Sequence, residues 1–132
     1  MEKIITALQG RKKSDERLTR NSKLFKSILK AVQEKKAEEI ISLDLKKIDE
    51  AVADFFILCE AKSNIQLKAI ADNIEKVVSE ECDESPYHVE RGDNWTLVDY
   101  VNIVVHIFQH EHRKFYNLEN LWGDAGRVEH ND

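Results

Sequence analysis

A mixed α/β sheet with helices packed on it is the fold that the sequence predicts, and three observations predict it. Two stretches carry apolar residues at helical spacing, Leu24–Val32 and Leu67–Val78. One short run, Ala53–Cys59 (ADFFILC), is apolar at every position but one and fits a central strand rather than an edge. Three further segments alternate or are rich in β-branched residues and are separated by turn signals. The order α-β-β-α-β-β-β-α gives one layered domain with a sheet of about five strands.

The elements follow in order. Residues 1–22 form a basic arm whose polar run Gln9–Ser22 buries little, and the expectation is a flexible segment. Asn21 and Ser22 are helix caps for an amphipathic helix whose buried stripe is Leu24, Phe25, Ile28, Leu29 and Val32, ending near Ala37. Ile41, Leu43 and Leu45 alternate with Ser42 and Asp44, as in a strand with one face buried. Asp44–Ala51 is a polar connection into the central strand. Ser63 and Gln66 stand three apart, as in a capping box, and open a helix with Leu67, Ile70, Ala71, Ile74, Val77 and Val78 inside. It ends near Glu81, and Pro86 forbids continuation. Tyr87 and Val89 form a short strand, Arg91-Gly92-Asp93 a turn, and Trp95, Leu97 and Asp99 the next strand. A bend near Tyr100 leads into Val101–Phe108. His110–Tyr116 reads as a short helix, Trp122 as packed on the sheet, and residues 126–132 as a frayed tail.

Composition excludes several functions. The 132 residues carry 34% charged side chains, and no apolar run approaches the roughly 20 residues that a bilayer requires. Membrane binding is therefore not expected. Cys59 and Cys82 make neither a disulfide framework nor a zinc site. Glu2 and Lys3 follow Met1 with no signal-peptide core, so a cytoplasmic, reducing location is expected.

Charge is unevenly spread. Residues 1–30 hold nine Lys/Arg against three acids, a balance of +6, and the remainder holds eleven against 22, a balance of −11. An acidic body is repelled by phosphate backbones and drawn to a basic protein surface. The arm has enough charge for a weak contact with RNA phosphates, although a solubilising tail is its plainer use.

Catalytic patterns are missing. His106, His110 and His112 lie in HIFQHEH, which lacks the H-E-x-x-H spacing, so no metal is expected and His106 is assigned a structural hydrogen bond. Cys82 sits among Glu80, Glu81, Asp83 and Glu84, a field that disfavours the thiolate. There is no G-x-S-x-G elbow, P-loop or G-x-G-x-x-G, and no cofactor is expected. The segment WTLVDYVN (residues 95–102) is more informative. It sets Trp, Leu, Tyr and a carboxylate close together, the composition of an interface hot spot if Trp95 is exposed; its alternative is core packing.

The strings LDLKKID, ADFFILCEAKSNIQLKAIAD, YHVE, WTLVDYVNIVVHIF and RKFYNLENLWGDA stand in this order over Leu24–Ala125. Together they resemble the ribosomal silencing factor (RsfS, Iojap-like) family, with the family domain expected over residues 23–125. The resemblance implies a nucleotidyltransferase-like scaffold without its catalytic motifs: AKSNIQ has no glycine, and VNIVVHIF has no D-x-D pair. It implies a non-enzymatic factor that binds the large ribosomal subunit through ribosomal protein fourteen and blocks joining of the small subunit. Such a factor represses translation under nutrient limitation and can aid large-subunit assembly. Carried onto this chain, the partner-facing residues are Trp95, Leu97, Asp99, Tyr100, Val101 and Asn102. Asn102 stands where many relatives carry an acid. The same exposed aromatic strand would also suit a homodimer of the free protein. An RNA-binding assembly factor that uses the basic arm and a nucleotide-transferring enzyme are the rival functions.

Overall fold

The computed structural model describes residues 17–48, 52–112 and 126–130. Helix α1 (Lys23–Glu34) precedes strand β1 (Glu38–Asp44) and the central strand β2 (Phe55–Ala61). Helix α2 (Asn64–Cys82) leads to β3 (His88–Glu90), β4 (Trp95–Asp99) and β5 (Ile103–Gln109). A 3-10 turn (His110–His112) and strand β6 (Gly126–Glu129) complete the described elements. The strands form one sheet in the order β3-β4-β5-β2-β1-β6. Only β2 and β5 run parallel; the other neighbours are antiparallel.

The mixed α/β expectation holds, with six strands in place of about five. The sixth is the segment expected to fray. Gly126 pairs with Asp44 and Glu129 with Ile41, and the pairing continues where the His130 N–H donates to the Ile40 carbonyl at 2.8 Å. The helix expected over His110–Tyr116 begins as the 3-10 turn; its remainder, like Trp122, lies outside the described residues.

Both helices pack on the same face of the sheet. Phe25, Ile28, Leu67, Ile70 and Ile74 meet Phe55, Ile57, Cys59, Val105 and Ile107 there. Phe25 and Phe55 meet edge to face with centroids 5.0 Å apart. The opposite face holds a second apolar cluster, built on Ile41, Leu43, Phe56, Leu58, Trp95, Leu97, Val104 and Phe108. Because β2 buries side chains on both faces, every residue of Phe55–Ala61 is buried.

Local chemistry fixes the helix ends. Ser63 Oγ accepts from the Gln66 N–H at 3.1 Å, and Gln66 Oε1 accepts from the Lys62 N–H at 2.7 Å, a near-reciprocal cap. The two helices are tied by Asn73, whose Nδ2 donates to the Ala31 carbonyl at 2.9 Å and to Glu34 Oε1 at 3.0 Å. Gly92 turns the β3–β4 hairpin; a Cβ there would stand 2.7 Å from the Trp95 carbonyl oxygen, so any larger residue would push the strand apart.

The end of the arm is part of the body. The Leu18 N–H donates to Asp54 Oδ2 at 2.9 Å, and Lys46 Nζ donates to the Leu18 carbonyl at 2.8 Å. Arg20 Nε donates to Ser42 Oγ at 2.9 Å, and its guanidinium lies over the Phe55 ring. Arg17–Ser22 are therefore docked on the sheet, whereas the whole of residues 1–22 was expected to be flexible. Residues 1–16 lie outside the description.

Candidate partner-binding corner

The expected site residues fall on β4 and on the β4–β5 connection. β4 lies between β3 and β5, and all five of its residues are buried. Trp95 (6% exposed) and Leu97 (0%) join the second apolar cluster, and the Asp99 side chain is fully buried. Tyr100 (5%) turns to the helix-bearing face, and Asn102 is 8% exposed. Val101 is half-buried. An exposed Trp95 was one of the two alternatives; the structure places the ring in the core, against Phe108 with centroids 4.9 Å apart. Alternation along WTLVD suits a half-exposed strand, but β4 buries side chains on both faces, Val98 in the helix-bearing cluster and Trp95 and Leu97 in the second one.

His106 has the structural role expected of it. Trp95 Nε1–H donates to His106 Nδ1 at 3.2 Å. Complete burial pushes the imidazole pKa down to about 3, so the ring is neutral and carries its proton on Nε2. Phe56 meets it edge to face with centroids 4.6 Å apart. Among the described residues, no group of three or more His, Cys, Asp or Glu side chains is placed to hold a metal ion.

The connection between β4 and β5 is strained. Val101 has φ of 73°, a conformation that a β-branched residue rarely adopts. Its neighbours close a three-residue turn around it, with the Asn102 N–H donating to the Tyr100 carbonyl at 2.9 Å. Asp99 Oδ1 accepts from the Val101 N–H at 2.7 Å, and the Tyr100 N–H donates to the Ile103 carbonyl at 2.9 Å. Asn102 then anchors the turn: its Nδ2 donates to Asp54 Oδ2 at 3.0 Å, and its carbonyl accepts from the Asp54 N–H at 2.8 Å. Strain of this kind persists only where the surroundings over-determine it, and it collects at functional sites. Asp99 and Asn102 thus hold Val101 in place at the end of the sheet.

Asp54 gathers the corner. It receives Leu18 N–H and Asn102 Nδ2, and the Arg17 guanidinium lies 3.7 Å away. No motif or spacing in the chain singles out this residue. Its place at the head of an apolar strand was the only available hint, since a carboxylate there must find buried donors. Arg17–Lys30 meanwhile contains five cations and no acid, so the basic stretch borders the corner through Arg17 and Lys23.

This fold and corner define an α/β protein of one six-stranded mixed sheet with both described helices on one face. The family model described as "Ribosomal silencing factor during starvation" matches residues 19–132. The chain belongs to this ribosomal silencing factor (RsfS) family. It is 41% identical over 113 residues to the ribosomal silencing factor RsfS of Halalkalibacterium halodurans, covering 83% of this chain and 93% of that one. It is 34% identical over 103 residues to the chloroplastic protein Iojap of Zea mays, covering 78% of this chain and 45% of that protein. A crystal structure of a Chromobacterium violaceum protein superposes with a TM-score of 0.71 at 29% identity, covering 76% of this chain and 83% of that one.

Proposed function

We propose that the chain is a ribosomal silencing factor that binds the large ribosomal subunit through ribosomal protein fourteen and prevents joining of the small subunit. The observation that carries this reading is the family match over residues 19–132. It acts by occlusion and needs affinity and position rather than chemistry, and its place of action is the cytoplasm. Charge supports the choice of partner, because the chain beyond residue 30 carries −11 and suits a basic protein surface.

Trp95, Leu97, Asp99, Tyr100, Val101 and Asn102 are proposed as the partner-binding element, with divided roles. Val101 and the accessible edges of Tyr100 and Asn102 make contact. Trp95, Leu97 and Asp99, being buried, set the shape of the turn. Cosedimentation with purified large subunits at low ionic strength tests this reading. The full chain should travel with the particles, and Val101→Asp should release it while leaving the melting temperature within a few degrees. Absence of the full chain from the particle fraction, even in molar excess, would refute it. Sedimentation of the pure protein separately reports whether free copies pair.

A second reading, an assembly factor that uses the basic arm on ribosomal RNA, is favoured by the six Lys/Arg that residues 1–22 set against three acids. It expects deletion of residues 1–22 to weaken binding to naked RNA, whereas the first reading expects subunit binding to survive that deletion.

A further inference from the structure

Three large apolar side chains are well exposed among the described residues: Ile65 (82%), Tyr87 (62%) and Val128 (38%). Their places in the fold differ. Val128 lies on β6, at the sheet edge opposite β3. Ile65 opens α2, and the 19 residues of that helix set it roughly 27 Å from the helix end that leads to β3.

Tyr87 stands at the docking corner itself. β3 pairs His88 with Asp99, and the Tyr87 N–H donates to the Asp99 carbonyl at 2.7 Å. That bond sets Tyr87 beside Tyr100 and the strained Val101, just past the last pair of the ladder. Pro86 precedes it with a fixed φ, so the ring is carried on a constrained backbone and has only two side-chain torsions to lose on binding. Trp95 is buried, which leaves Tyr87 as the accessible aromatic of this corner among the described residues, and exposed tyrosines are a preferred source of interface hot spots.

Charge around Tyr87 selects the partner. Residues 80–90 hold five acids and no Lys or Arg. Glu81 is taken by Lys30, and Glu90 by His88. Glu80, Asp83 and Glu84 are exposed and form no ion pair with another described residue. Glu84 also lines the cleft that Tyr100 and Asn102 border, and Lys23 is the cation there. A ring with a negative face among such carboxylates attracts a cation and repels phosphate.

We propose that Tyr87 is the aromatic anchor of the corner: its ring face receives a lysine or arginine side chain of a basic protein surface, with Glu84 as the countercharge and Val101 packed beside it. This deepens the docking role proposed for the corner and rests on it.

The test is sedimentation of the full chain with purified large subunits over a range of salt concentrations, with the melting temperature of each variant measured alongside. Tyr87→Ala should weaken binding about tenfold, and Tyr87→Phe should restore most of that loss. Glu84→Lys should weaken binding about fivefold and lessen its salt dependence. Ile65→Ala, at the far end of α2, should bind as the unaltered chain does. If Tyr87→Ala lowers the melting temperature by more than about two degrees, Tyr87→Leu, which keeps apolar bulk without a ring, and Glu84→Lys carry the test, and both should weaken binding. Binding by Tyr87→Ala equal to that of the unaltered chain overturns the proposal while the subunit reading stands. So does a loss at Ile65→Ala as large as that at Tyr87→Ala, which marks a general effect of apolar surface. Failure of the unaltered chain to travel with the particles removes both.

Discussion

Trp95 and His106 are joined across two adjacent strands, indole N–H to Nδ1 at 3.2 Å, with both side chains buried. The register sets Trp95 opposite Phe108 and Leu97 opposite His106, so the pair is diagonal on one face of the sheet. The bond orients a neutral imidazole inside an aromatic cluster. It also makes the fold sensitive to acid.

In the unfolded chain the imidazole titrates at its ordinary 6.5, and in the folded chain at about 3. Between these values the unfolded state holds a proton that the folded state lacks. Stability is therefore complete above pH 6.5 and falls as pH drops toward 3, with a slope approaching about 1.4 kcal/mol per pH unit from this group. His106→Gln, which retains an acceptor for Trp95 but does not titrate, should flatten the slope between pH 4 and 6.5. Urea unfolding across that range checks it; an unchanged slope would assign the acid sensitivity to other groups.

Trp95→Ala should act on stability before it acts on any partner. Removing a 6%-exposed indole from beside Phe108 and His106 leaves a cavity and is expected to cost about 3–5 kcal/mol. Chemical denaturation gives the value. A loss below 1 kcal/mol would show that the ring is not part of the core, and would return Trp95 to the surface.

Val101→Gly should stabilise the chain. Glycine relieves the positive φ of 73° and gives up the modest burial of a half-exposed side chain and some unfolded-state stiffness. The net gain should be about 1 kcal/mol, read as a higher urea midpoint at constant m. A lower midpoint would mean that the valine contacts outweigh the backbone strain.

Asp54→Ala should loosen two segments at once. It strands the Leu18 N–H and the Asn102 amide, and the cost is expected on the order of 2–3 kcal/mol. Hydrogen exchange should accelerate at both Leu18 and Val101. Acceleration at Leu18 alone would show that the turn is held by Asp99 without help from Asp54.

Much of this architecture is legible in the chain because it is local. Ser63 and Gln66 announce α2 through a cap that spans three residues, and Leu24, Phe25, Ile28 and Val32 announce α1 through one face. The apolar Phe55–Cys59 run correctly implies a strand covered on both sides. What stays hidden depends on distant pairing. GRVE has no intrinsic claim to be a strand; β1 makes it one from more than 80 residues away. Trp95 is enclosed by an apolar cluster on the second face of the sheet, and that cluster is assembled from β1, β2, β4 and β5, which are distant in the chain. Nor does a valine advertise a positive φ. That backbone state comes from Asp99, Tyr100 and Asn102 closing around Val101, so a bend could be read near Tyr100 from the sequence while its strained geometry could not.

The Asp54 carboxylate accepts from both Leu18 and Asn102, so Arg17 and Leu18 stand beside the turn at Val101. The opposite terminus leaves from the far end of β6, where His130 meets Ile40. A fluorophore placed at the exposed Arg17 would thus stand beside the turn proposed to face the partner. One placed at the exposed Glu129 would stand toward the opposite end of the sheet, which makes β6 the side from which to label this protein without crowding that turn.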